Sequence, residues 1–500
     1  MKDLLAGLDI GTSAVKACLY DLQGRQLAAA LAEQPISNPY PGWAAQNPAD
    51  WWHGVQVTMH SILDGIDRNR IIALGLSGQC PGHVMVDKQG NALGPAIIWR
   101  DHRAIEEAQW ISERIASNAA FAWSGISQNA DATLPPARLR WLQVHRHEEW
   151  DQAVAILQPK DFIGLCLTGE MATDLYSAYS FVDPAVGSYN EDYFAALQLP
   201  LEKMPKVLTP TSCLGNVTQS AAARTGLSPN TPVVSGTIDA WCDNIACGAS
   251  LWGRAVDIAG TSEIISLGVP QAEEGFGVFL AELSPQDKFV CGPTQFGGST
   301  LRWLVDIFYP EMKKNINFRE LENTASWAPP ASDGLIFMPY LCGERAPIWD
   351  AQARGGFVGI TMNHTRSHFT RAVYEAVSYA VRHVLEYCQA AAKIKADCLI
   401  ICGGGSRSHF WNQLKANVLQ IPVYPIKDKI TACLGAAILA GISMGCFSDI
   451  RQANQIMTQL GDLIEPDDAL SPCYEDGYQR YKRLYPALRP LFQNEIQEKK

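Results

Sequence analysis

The chain has 500 residues, of which 47% are hydrophobic and 18% are charged. This composition is typical of a folded globular enzyme, and the length exceeds what one hydrophobic core usually organises, so two domains are expected. A formal net charge of −11 argues against a nucleic-acid-binding protein, and no run reaches the roughly 20 apolar residues of a membrane helix.

The fourteen cysteines are scattered along the chain, and no Cys-x-x-Cys pair occurs. Most lie in apolar runs, where cysteine behaves as a small hydrophobic residue. The N-terminus does not match a signal peptide, because Asp9 interrupts its apolar run. These observations predict reduced thiols and a cytoplasmic location.

The chain opens with three predicted antiparallel strands, Leu4–Ile10, Ala14–Asp21 and Gln26–Glu33. Asn47 and Pro48 then open a predicted helix, since proline is favoured in the first turn. Strands and helices alternate from there onward. The other elements predicted in this part of the chain are the strands Ile71–Leu76, Val84–Asp87 and Ala96–Trp99 and the helices Arg103–Ser117, Pro135–His147 and Asp161–Thr168.

The second half repeats the opening, because the predicted strands Val256–Ala259 and Ile264–Leu267 again flank a short turn. A small-residue stretch, Gly248–Gly253, precedes them and predicts a boundary between domains 1–248 and 249–500. The elements predicted beyond these strands are the strand Asp397–Cys402 and the helices Leu301–Tyr309, Thr365–Ala391, Phe410–Leu419 and Ile430–Gly441.

The same small loop occurs twice, reading IGTS at positions 10–13 and AGTS at positions 259–262. Glycine permits a tight turn with bare N–H groups, and the hydroxyls add donors. Successive N–H groups of this kind form an anion-binding concavity. The repeat predicts two phosphate-binding hairpins that hold a nucleotide. The residues assigned to phosphate are Gly11, Thr12, Ser13, Lys16, Gly260, Thr261 and Ser262.

Asp9 stands at a strand end just before the first loop. A carboxylate there can hold Mg²⁺, usually through water, while Lys16 adds a positive charge near the phosphates. The alternative is an ordinary hairpin whose aspartate satisfies local amides, and the second copy of the loop favours the functional interpretation. The second copy has an additional residue, Ala259, between Asp257 and the loop glycine. Asp257 is therefore not assigned the role of Asp9.

Asp239 follows a predicted apolar strand and precedes a predicted helix. Aspartate is a favoured N-cap, and an exposed carboxylate can also accept the proton of an attacking hydroxyl. The two roles are compatible, and the helix dipole is expected to favour the ionised form. Asp243 is the competing candidate, but it lies about one turn further along the helix. We therefore assign the role of general base to Asp239.

Two further segments carry binding candidates. Three glycines, Gly403–Gly405, stand between a predicted strand and helix, and bare backbone there suits a phosphate or a flat base. Close helix–strand packing is the alternative. Polar groups also surround a tryptophan within Leu74–Arg103, which suits a sugar-like ligand, although ordinary loop polarity is the alternative for each. The substrate candidates of this stretch are Gln79, Trp99, Arg100 and Asp101.

With these residues together, the chain resembles the FGGY family of carbohydrate kinases over nearly its whole length. The two loops are similar to the family's phosphate loops. The run PYLCGERAP at 339–347 with Arg354 and Gly355 is similar to its central signature, and Gly403–Val423 to its adenosine motif. Leu134–Leu142 is similar to a further pattern, with Arg138 where lysine is common, and Asn417 stands where aspartate is usual.

This resemblance implies an α/β fold with two RNase H-like, actin-like ATPase domains, each a mixed sheet flanked by helices, around an ATP and sugar cleft. It implies phosphorylation of a sugar or polyol hydroxyl with ATP and Mg²⁺. Asp239 matches the family's catalytic aspartate and Asp9 its Mg²⁺-associated aspartate. Adenine is expected near Gly404, Gly405 and Asn412. Neither nucleic acid nor membrane is an expected partner, and a homodimer is left open.

The substrate pattern departs from the family at one point. Xylulokinase-like members usually show Gln-Met-His-Gly where this chain has Gln79-Cys80-Pro81-Gly82, and glycerol kinases show Gln-Arg-Glu. A ketopentose or related polyol is the best match. Two alternatives stay open, a superfamily ATPase without a sugar acceptor and a catalytically idle sugar sensor. The stretch from Trp99 to Arg103 argues against the first, and intact Asp9 and Asp239 argue against the second.

Overall fold

The structure is a computed structural model that describes residues 2–115, 117–124, 131–183, 186–273, 277–284, 286–427 and 430–492. The chain forms two compact units. The first comprises Met1–Ala246 and Ile430–Met457, and the second comprises Cys247–Lys429 and Thr458–Lys500. The sequence boundary at 248/249 stays a prediction, and the segment Ile430–Met457 joins the first unit although it lies late in the chain.

The strands carry both sheets and several two-stranded pairs. In chain order they are β1 (Leu4–Ile10), β2 (Ala14–Asp21), β3 (Gln26–Glu33), β4 (Ala45–Gln46), β5 (Ile71–Gly78), β6 (Val84–Val86), β7 (Ala96–Ile97), β8 (Ala155–Leu157), β9 (Ala172–Asp174), β10 (Val182–Asp183), β11 (Ser188–Tyr189), β12 (Lys206–Leu208), β13 (Cys213–Asn216), β14 (Pro232–Ile238), β15 (Arg254–Ala259), β16 (Glu263–Val269), β17 (Phe279–Glu282), β18 (Lys288–Pro293), β19 (Ile336–Met338), β20 (Gly356–Val358), β21 (Cys398–Cys402) and β22 (Val423–Pro425).

The α-helices pack on these sheets or on one another. In chain order they are α1 (Pro48–Ile62), α2 (Ile105–Ile115), α3 (Pro135–His145), α4 (His147–Gln152), α5 (Pro159–Thr168), α6 (Glu191–Leu197), α7 (Gln219–Thr225), α8 (Asp239–Cys247), α9 (Gly298–Phe308), α10 (Phe318–Ser326), α11 (Arg366–Ala392), α12 (His409–Leu419), α13 (Thr431–Ser443), α14 (Ile450–Met457) and α15 (Ser471–Phe492).

The first unit is built on a six-stranded mixed sheet in the order β13-β14-β5-β1-β2-β3. Strands β1, β5 and β14 are parallel neighbours, whereas β1–β2 and β2–β3 are antiparallel. The predicted three-stranded opening is therefore confirmed. Helix α1 begins as expected, because the Asn47 side chain accepts a hydrogen bond from the Ala49 N–H and Pro48 occupies the first turn.

Helix α13 lies directly against this sheet. A side chain at Gly7 would place its Cβ 1.9 Å from the Cys433 carbonyl oxygen, and one at Gly75 would lie 1.9 Å from the carbonyl oxygen of Ala436. Only glycine permits such an approach of helix backbone to strand. This close packing explains why Ile430–Met457 belongs to the first unit.

The second unit is built on another six-stranded mixed sheet, in the order β17-β18-β16-β15-β21-β22. Strands β15, β21 and β22 are parallel, while β15–β16 and β16–β18 are antiparallel. The long helix α11 contributes Val381, Val384 and Leu385 to the buried core of this sheet. The expected pair of mixed sheets with flanking helices is therefore confirmed.

Within the residues that the structure describes, no helix combines the length and the apolar character needed to cross a membrane.

Candidate active site

Three parallel strands of the first unit end in one row. Ile10 at the end of β1 pairs with Gly78 at the end of β5, and Gly78 also pairs with Ile238 at the end of β14. The residues that follow these ends are Gly11, Gln79 and Asp239. The sheet thus brings together the first loop, a predicted substrate residue and the predicted base, in agreement with the rule that ligands bind beyond the carboxyl ends of such strands.

A single glycine sets where β14 ends. Gly236 has φ +62°, and a Cβ there would lie 1.6 Å from the carbonyl oxygen of Leu76 on β5. The pairing of β14 with β5 shifts between Val234 and Thr237 at this point. The resulting irregularity resembles a β-bulge, which often re-aims side chains next to active sites. Gly236 thus fixes where Asp239 emerges.

Asp9 is buried, with 1% of its side chain exposed, and its carboxylate has two side-chain partners. Lys16, its cross-strand neighbour, donates to Oδ2 at 2.9 Å, and the Ser77 hydroxyl of the parallel strand donates to Oδ1 at 3.1 Å. Asp9 is the main reason that the pKa of Lys16 is raised. The ammonium of Lys16 is therefore a fixed positive charge beside the first loop.

The first loop, Gly11–Ser13, turns its carbonyl oxygens toward the protein. The Thr12 carbonyl accepts a 2.8 Å hydrogen bond from Gln46 Nε2, and the Ser13 carbonyl accepts a 2.8 Å bond from the Gln34 N–H. Because a trans peptide points its C=O and N–H in opposite directions, the Ser13 N–H points away from Gln46. This orientation suits an anion-binding loop.

Asp239 is half-buried and is the first residue of α8. Burial first, and then the negative charges of Asp9 and Asp243, raise the pKa of Asp239 from 3.8 to about 7. The expectation that the helix dipole favours the ionised form is therefore wrong, because desolvation and two like charges outweigh it. A carboxyl group with a pKa near neutrality can both take up and release a proton.

Asp243, the competing candidate, has a partner of its own. Its Oδ1 accepts a 2.5 Å hydrogen bond from the Thr431 hydroxyl at the start of α13. The structure thus gives Asp243 a contact with α13, while the Oδ1 of Asp239 accepts a 2.8 Å bond from the adjacent Ala240 N–H. The assignment of the base to Asp239 stays a prediction.

Gln79 is buried, and its side chain is oriented by a residue that the sequence did not single out. Its Nε2 donates a 2.7 Å hydrogen bond to Gln46 Oε1, and its own Oε1 has no hydrogen-bond partner among the described residues. Gln46 lies on the two-residue strand β4, so only its polar character at a buried position could have signalled it. A buried polar atom without a partner is a candidate ligand contact.

The remaining substrate candidates are two exposed side chains, Trp99 and Arg100, and one buried carboxylate, Asp101. Trp99 is 41% exposed, and its indole Nε1 donates a 2.8 Å bond to the Thr12 hydroxyl, with the exposed Arg100 over its ring. Asp101 is fully buried, and Arg103 donates to both of its carboxylate oxygens. The Ala44 N–H also donates to Asp101 at 2.5 Å. Its carboxylate therefore has protein partners.

A second group of buried charges near this row was missed by the sequence analysis. Lys160 is fully enclosed and lies 2.6 Å from Asp161 Oδ1 and 2.9 Å from Asp174 Oδ2. The Thr237 hydroxyl on β14 donates to Asp174 at 2.8 Å. This cluster supports β14, the strand that leads to Asp239. The adjacent Lys160 and Asp161 at the start of an apolar helix were its only sequence signal.

The second hairpin, Gly260–Ser262, belongs to the second unit and is braced by the start of α9. The Gly260 carbonyl accepts a bond of 2.9 Å from the Gly298 N–H, and the Thr261 carbonyl accepts bonds from the N–H groups of Gly297 and Ser299. The N–H groups of Thr261 and Ser262 therefore point away from α9. Both hairpins thus turn their carbonyls inward.

The glycine turn Gly403–Gly405 lies beside this hairpin. Ile258 and Cys402 are paired neighbours on β15 and β21, and a Cβ at Gly405 would lie 2.8 Å from the Ala259 side chain. Gly404 is exposed with open space around it within the described residues. Asn412 is buried and donates a 2.7 Å bond to the Ser406 carbonyl, so it anchors the turn.

The two hairpins carry their charged residues on opposite faces. In the first, Asp9 pairs across the strands with Lys16. The position equivalent to Asp9 in the second hairpin, two residues before the loop glycine, is Ile258, which pairs across the strands with Ile264. Asp257 is one residue further back, so it faces the other side of the sheet. The two copies of the loop are therefore not chemically equivalent.

Comparison with known proteins agrees with this arrangement of two related halves. Residues 4–246 match the N-terminal domain of the FGGY family of carbohydrate kinases, and residues 255–444 match its C-terminal domain. The chain belongs to the FGGY family of carbohydrate kinases. It is therefore an enzyme that phosphorylates a carbohydrate with ATP as the phosphoryl donor.

Relatives and solved structures extend the match to nearly the whole chain. A xylulose kinase of Staphylococcus epidermidis is 28% identical over 499 residues, which is 98% of both proteins. The crystal structure of xylulose kinase from Rhodospirillum rubrum has a TM-score of 0.86 at 29% identity, covering 98% of this chain and 100% of that one. Gluconate kinase from Lactobacillus acidophilus gives a TM-score of 0.87 at 26% identity, covering 97% and 98%.

Proposed function

We propose that this kinase phosphorylates a hydroxyl of a ketopentose or a related polyol, with Asp239 as the general base. The observation that carries the proposal is the common row of strand ends that places Asp239, Gln79 and the first loop side by side. A base, an acceptor site and a phosphate-binding loop are the parts that phosphoryl transfer to a hydroxyl requires.

The choice of a ketopentose has two supports. Xylulose kinases are among the relatives and the structural neighbours of the chain. In addition, Gln79 presents a buried amide oxygen without a partner among the described residues, and Trp99 offers a partly exposed ring beside Thr12. Gluconate kinase is also a neighbour, so sugar acids belong in any substrate screen. We assign sugar contacts to Gln79, Trp99 and Arg100, with Asp101 holding this stretch in place through Arg103.

Asp239 would act by orienting the attacking hydroxyl and accepting its proton as the phosphoryl group is transferred. The transition state of this reaction is loose, so positioning and charge neutralisation contribute more than base strength. The raised pKa of Asp239, about 7, suits a group that takes up a proton and then releases it.

The nucleotide is assigned to elements of both units. Gly11–Ser13 with Lys16 would contact phosphate in the first unit, and Gly260–Ser262 would contact phosphate in the second. The backbone of the exposed Gly404 and the half-buried Gly405 would contact adenine, with Asn412 holding that turn through Ser406. The inward-turned carbonyls of both hairpins support this assignment, because the opposite peptide N–H groups then point away from the protein partners.

Mg²⁺ fits the carboxylates of the first unit. The described residues contain no group of three or more potential metal-ligating side chains, and Mg²⁺ bound with phosphates typically uses only one or two carboxylates and several waters. Asp9 and Asp239 are close enough for the charge of Asp9 to raise the pKa of Asp239, and a cation beside them would relieve that repulsion. Asp9 is the residue we assign to Mg²⁺, which neutralises phosphate charge when bound.

The test is an ADP-release assay against ketoses, aldoses, polyols and sugar acids, with products identified by mass spectrometry. Sugar-dependent ADP formation on a ketopentose or polyol is expected. Asp239→Asn should lower the turnover number by about 10²–10⁴-fold while ADP binding is retained, and Asp64→Asn, which changes an exposed carboxylate, serves as the matched control.

Three results would count against the proposal. Near-normal turnover of Asp239→Asn would remove the assignment of the base. ADP release that never depends on a sugar would favour the ATPase alternative. Sugar binding without any turnover would favour the idle sensor.

A further inference from the structure

Three charged side chains meet in the interior of the second unit, behind the second hairpin. Lys415 Nζ on α12 lies 2.5 Å from Asp257 Oδ2 and 3.2 Å from Glu263 Oε2, and all three side chains have 0% exposure. We call Asp257, Glu263 and Lys415 the Lys415 cluster. None of the three was assigned a role by the sequence.

The cluster touches both arms of the hairpin. Asp257 lies on β15, three residues before Gly260, and Glu263 is the first residue of β16, directly after Ser262. Ala259 and Glu263 are cross-strand partners, and Asp257 lies on the same strand face as Ala259. One lysine therefore joins both strands at the base of the loop.

The helix that carries Lys415 also carries the anchor of the glycine turn. Asn412 is one turn earlier on α12 and holds the Ser406 carbonyl, so the two side chains lie on neighbouring parts of one helix face. The glycine turn also packs on the hairpin. A Cβ at Gly403 would lie 2.6 Å from the Ala259 carbonyl oxygen. The hairpin and the turn are thus joined both by backbone packing and by the Lys415 cluster.

Burying these charged groups costs free energy, because they lose their hydration, and only well-placed partners offset that loss. Burial, and then the charge of Asp257, raises the pKa of Glu263 well above its usual value. Burial lowers the pKa of Lys415, but Asp257 and Glu263 more than offset this and the pKa is raised overall. The shift for Glu263 is toward its protonated, neutral form, and Lys415 is held between the two acidic side chains. Apolar side chains of similar volume would cost less free energy at these positions. The presence of charged groups therefore indicates that the cluster fixes the local geometry.

We propose that Lys415 is a positioning residue for the nucleotide, which it serves by holding the loop Gly260–Ser262 in a fixed place relative to the turn Gly403–Gly405. This inference rests on the proposed assignment of phosphate to the loop and of adenine to the turn. Lys415 itself, fully buried behind the hairpin, does not contact the nucleotide. Its loss should weaken nucleotide binding and leave sugar binding unchanged.

The first test is the double variant Asp257→Asn/Lys415→Met, which removes both members of the ion pair. Replacing a buried pair as a whole generally preserves stability, whereas removing one partner does not. We expect a melting temperature close to that of the wild type. The dissociation constant for ADP, measured by calorimetry, and the KM for ATP should both rise about tenfold, a coupling of ordinary size between positions in contact. The KM for the sugar should stay within about twofold.

The second test is a matched pair at one position, Glu263→Gln and Glu263→Leu. Both side chains are neutral, as the protonated Glu263 is, but only glutamine keeps an oxygen that can accept from Lys415. Glu263→Gln should bind ADP as the wild type does, and Glu263→Leu should bind it several-fold more weakly. Lys482→Met is the control, because Lys482 is also a helical lysine with an acidic partner, Glu386, but is partly exposed.

The outcomes separate this inference from the proposed function. Equal ADP affinity of Glu263→Gln and Glu263→Leu would overturn the positioning role, as would a parallel rise of the KM values for ATP and sugar in the double variant. If the wild type turns over sugar and the variants bind ADP normally, only this inference fails. If the wild type itself binds no ADP, the proposed function fails and this inference fails with it.

Discussion

The side-chain amide of Gln79 donates a 2.7 Å hydrogen bond to Gln46 Oε1. Gln46 in turn donates to the Thr12 carbonyl at 2.8 Å. Two amide groups therefore join a residue assigned to the sugar with the loop assigned to phosphate. The Trp51 indole also donates to Gln46 Oε1, so the bridging side chain is held from several directions inside the core.

We predict that Gln46→Ala weakens sugar and nucleotide together. The substitution frees Gln79 to turn and removes a donor from the Thr12 carbonyl, and each buried hydrogen bond lost costs about 1–3 kcal/mol. The KM values for both substrates should rise about tenfold in steady-state kinetics. Gln89→Ala, at an exposed turn position, is the control. A change in the KM of only one substrate would contradict the link.

The sequence predicted the framework of the site because its signals are local. The strand–Gly-Thr-Ser–strand pattern fixed the hairpin, and the register of that hairpin then placed Lys16 opposite Asp9. The apolar run before Asp239 likewise predicted a strand. The bond between Gln46 and Gln79 was not, since the two residues are distant in sequence and meet only when β4 and the end of β5 are packed.

Local sequence patterns also did not predict the charge environment of Asp239. A helix start suggested an ionised Asp239, but the pKa depends on Asp9 and Asp243, which the fold brings close. In the same way, helix α13 was predicted, but its place in the first unit was not. Glycine is required at positions 7 and 75 because the backbone of α13 approaches the strands there. That approach is visible only in the folded structure.

The raised pKa of Asp239 predicts a pH-dependent gain of stability in Asp239→Asn. The folded state holds this proton with a pKa of about 7 against an ordinary 3.8. Folding is therefore favoured at low pH, and this contribution is lost as the pH rises from about 4 through about 7. In metal-free buffer the variant should melt at a higher temperature than the wild type at about pH 8, with little difference at about pH 4.

The difference between variant and wild type isolates Asp239 from other buried acids whose pKa is also raised, such as Glu344 and Glu375. Asp64→Asn, which changes an exposed carboxylate, is the matched control for the chemical change itself. If Asp239→Asn instead melts lower than the wild type at about pH 8, the carboxylate is ionised and stabilised in the fold, and the pKa direction is wrong.

Removing the carboxylate of Asp9 should change the requirement for Mg²⁺. In Asp9→Asn the single amide oxygen can accept from Lys16 while the amide N–H donates to the Ser77 hydroxyl, but the side chain no longer supplies a negative charge to a divalent cation. We expect the Mg²⁺ concentration for half-maximal activity to rise about tenfold or more, as is common when a metal site is weakened. The measurement is a Mg²⁺ titration at fixed ATP, and an unchanged midpoint would exclude Asp9 as the anchor.

Gly236→Ala should be far more damaging than its size suggests. Gly236 has φ +62°, and the added Cβ would lie 1.6 Å from the carbonyl oxygen of Leu76, inside the sheet. Gly65 offers a matched control, because its φ is +69° but no described atom lies within 4 Å of the added carbon. Gly65→Ala therefore measures the cost of the backbone conformation alone, about 1 kcal/mol.

At Gly236 the strand β14 would have to separate from β5, and the segment from Thr237 to Asp239 would shift with it. We expect Gly65→Ala to lower the melting temperature by about 2–4 °C with full activity. Gly236→Ala should be insoluble, or melt at least about 10 °C lower and lose sugar-dependent turnover. Equal effects of the two substitutions in thermal unfolding would show that β14 does not approach β5 this closely and that Asp239 is held in place by other contacts.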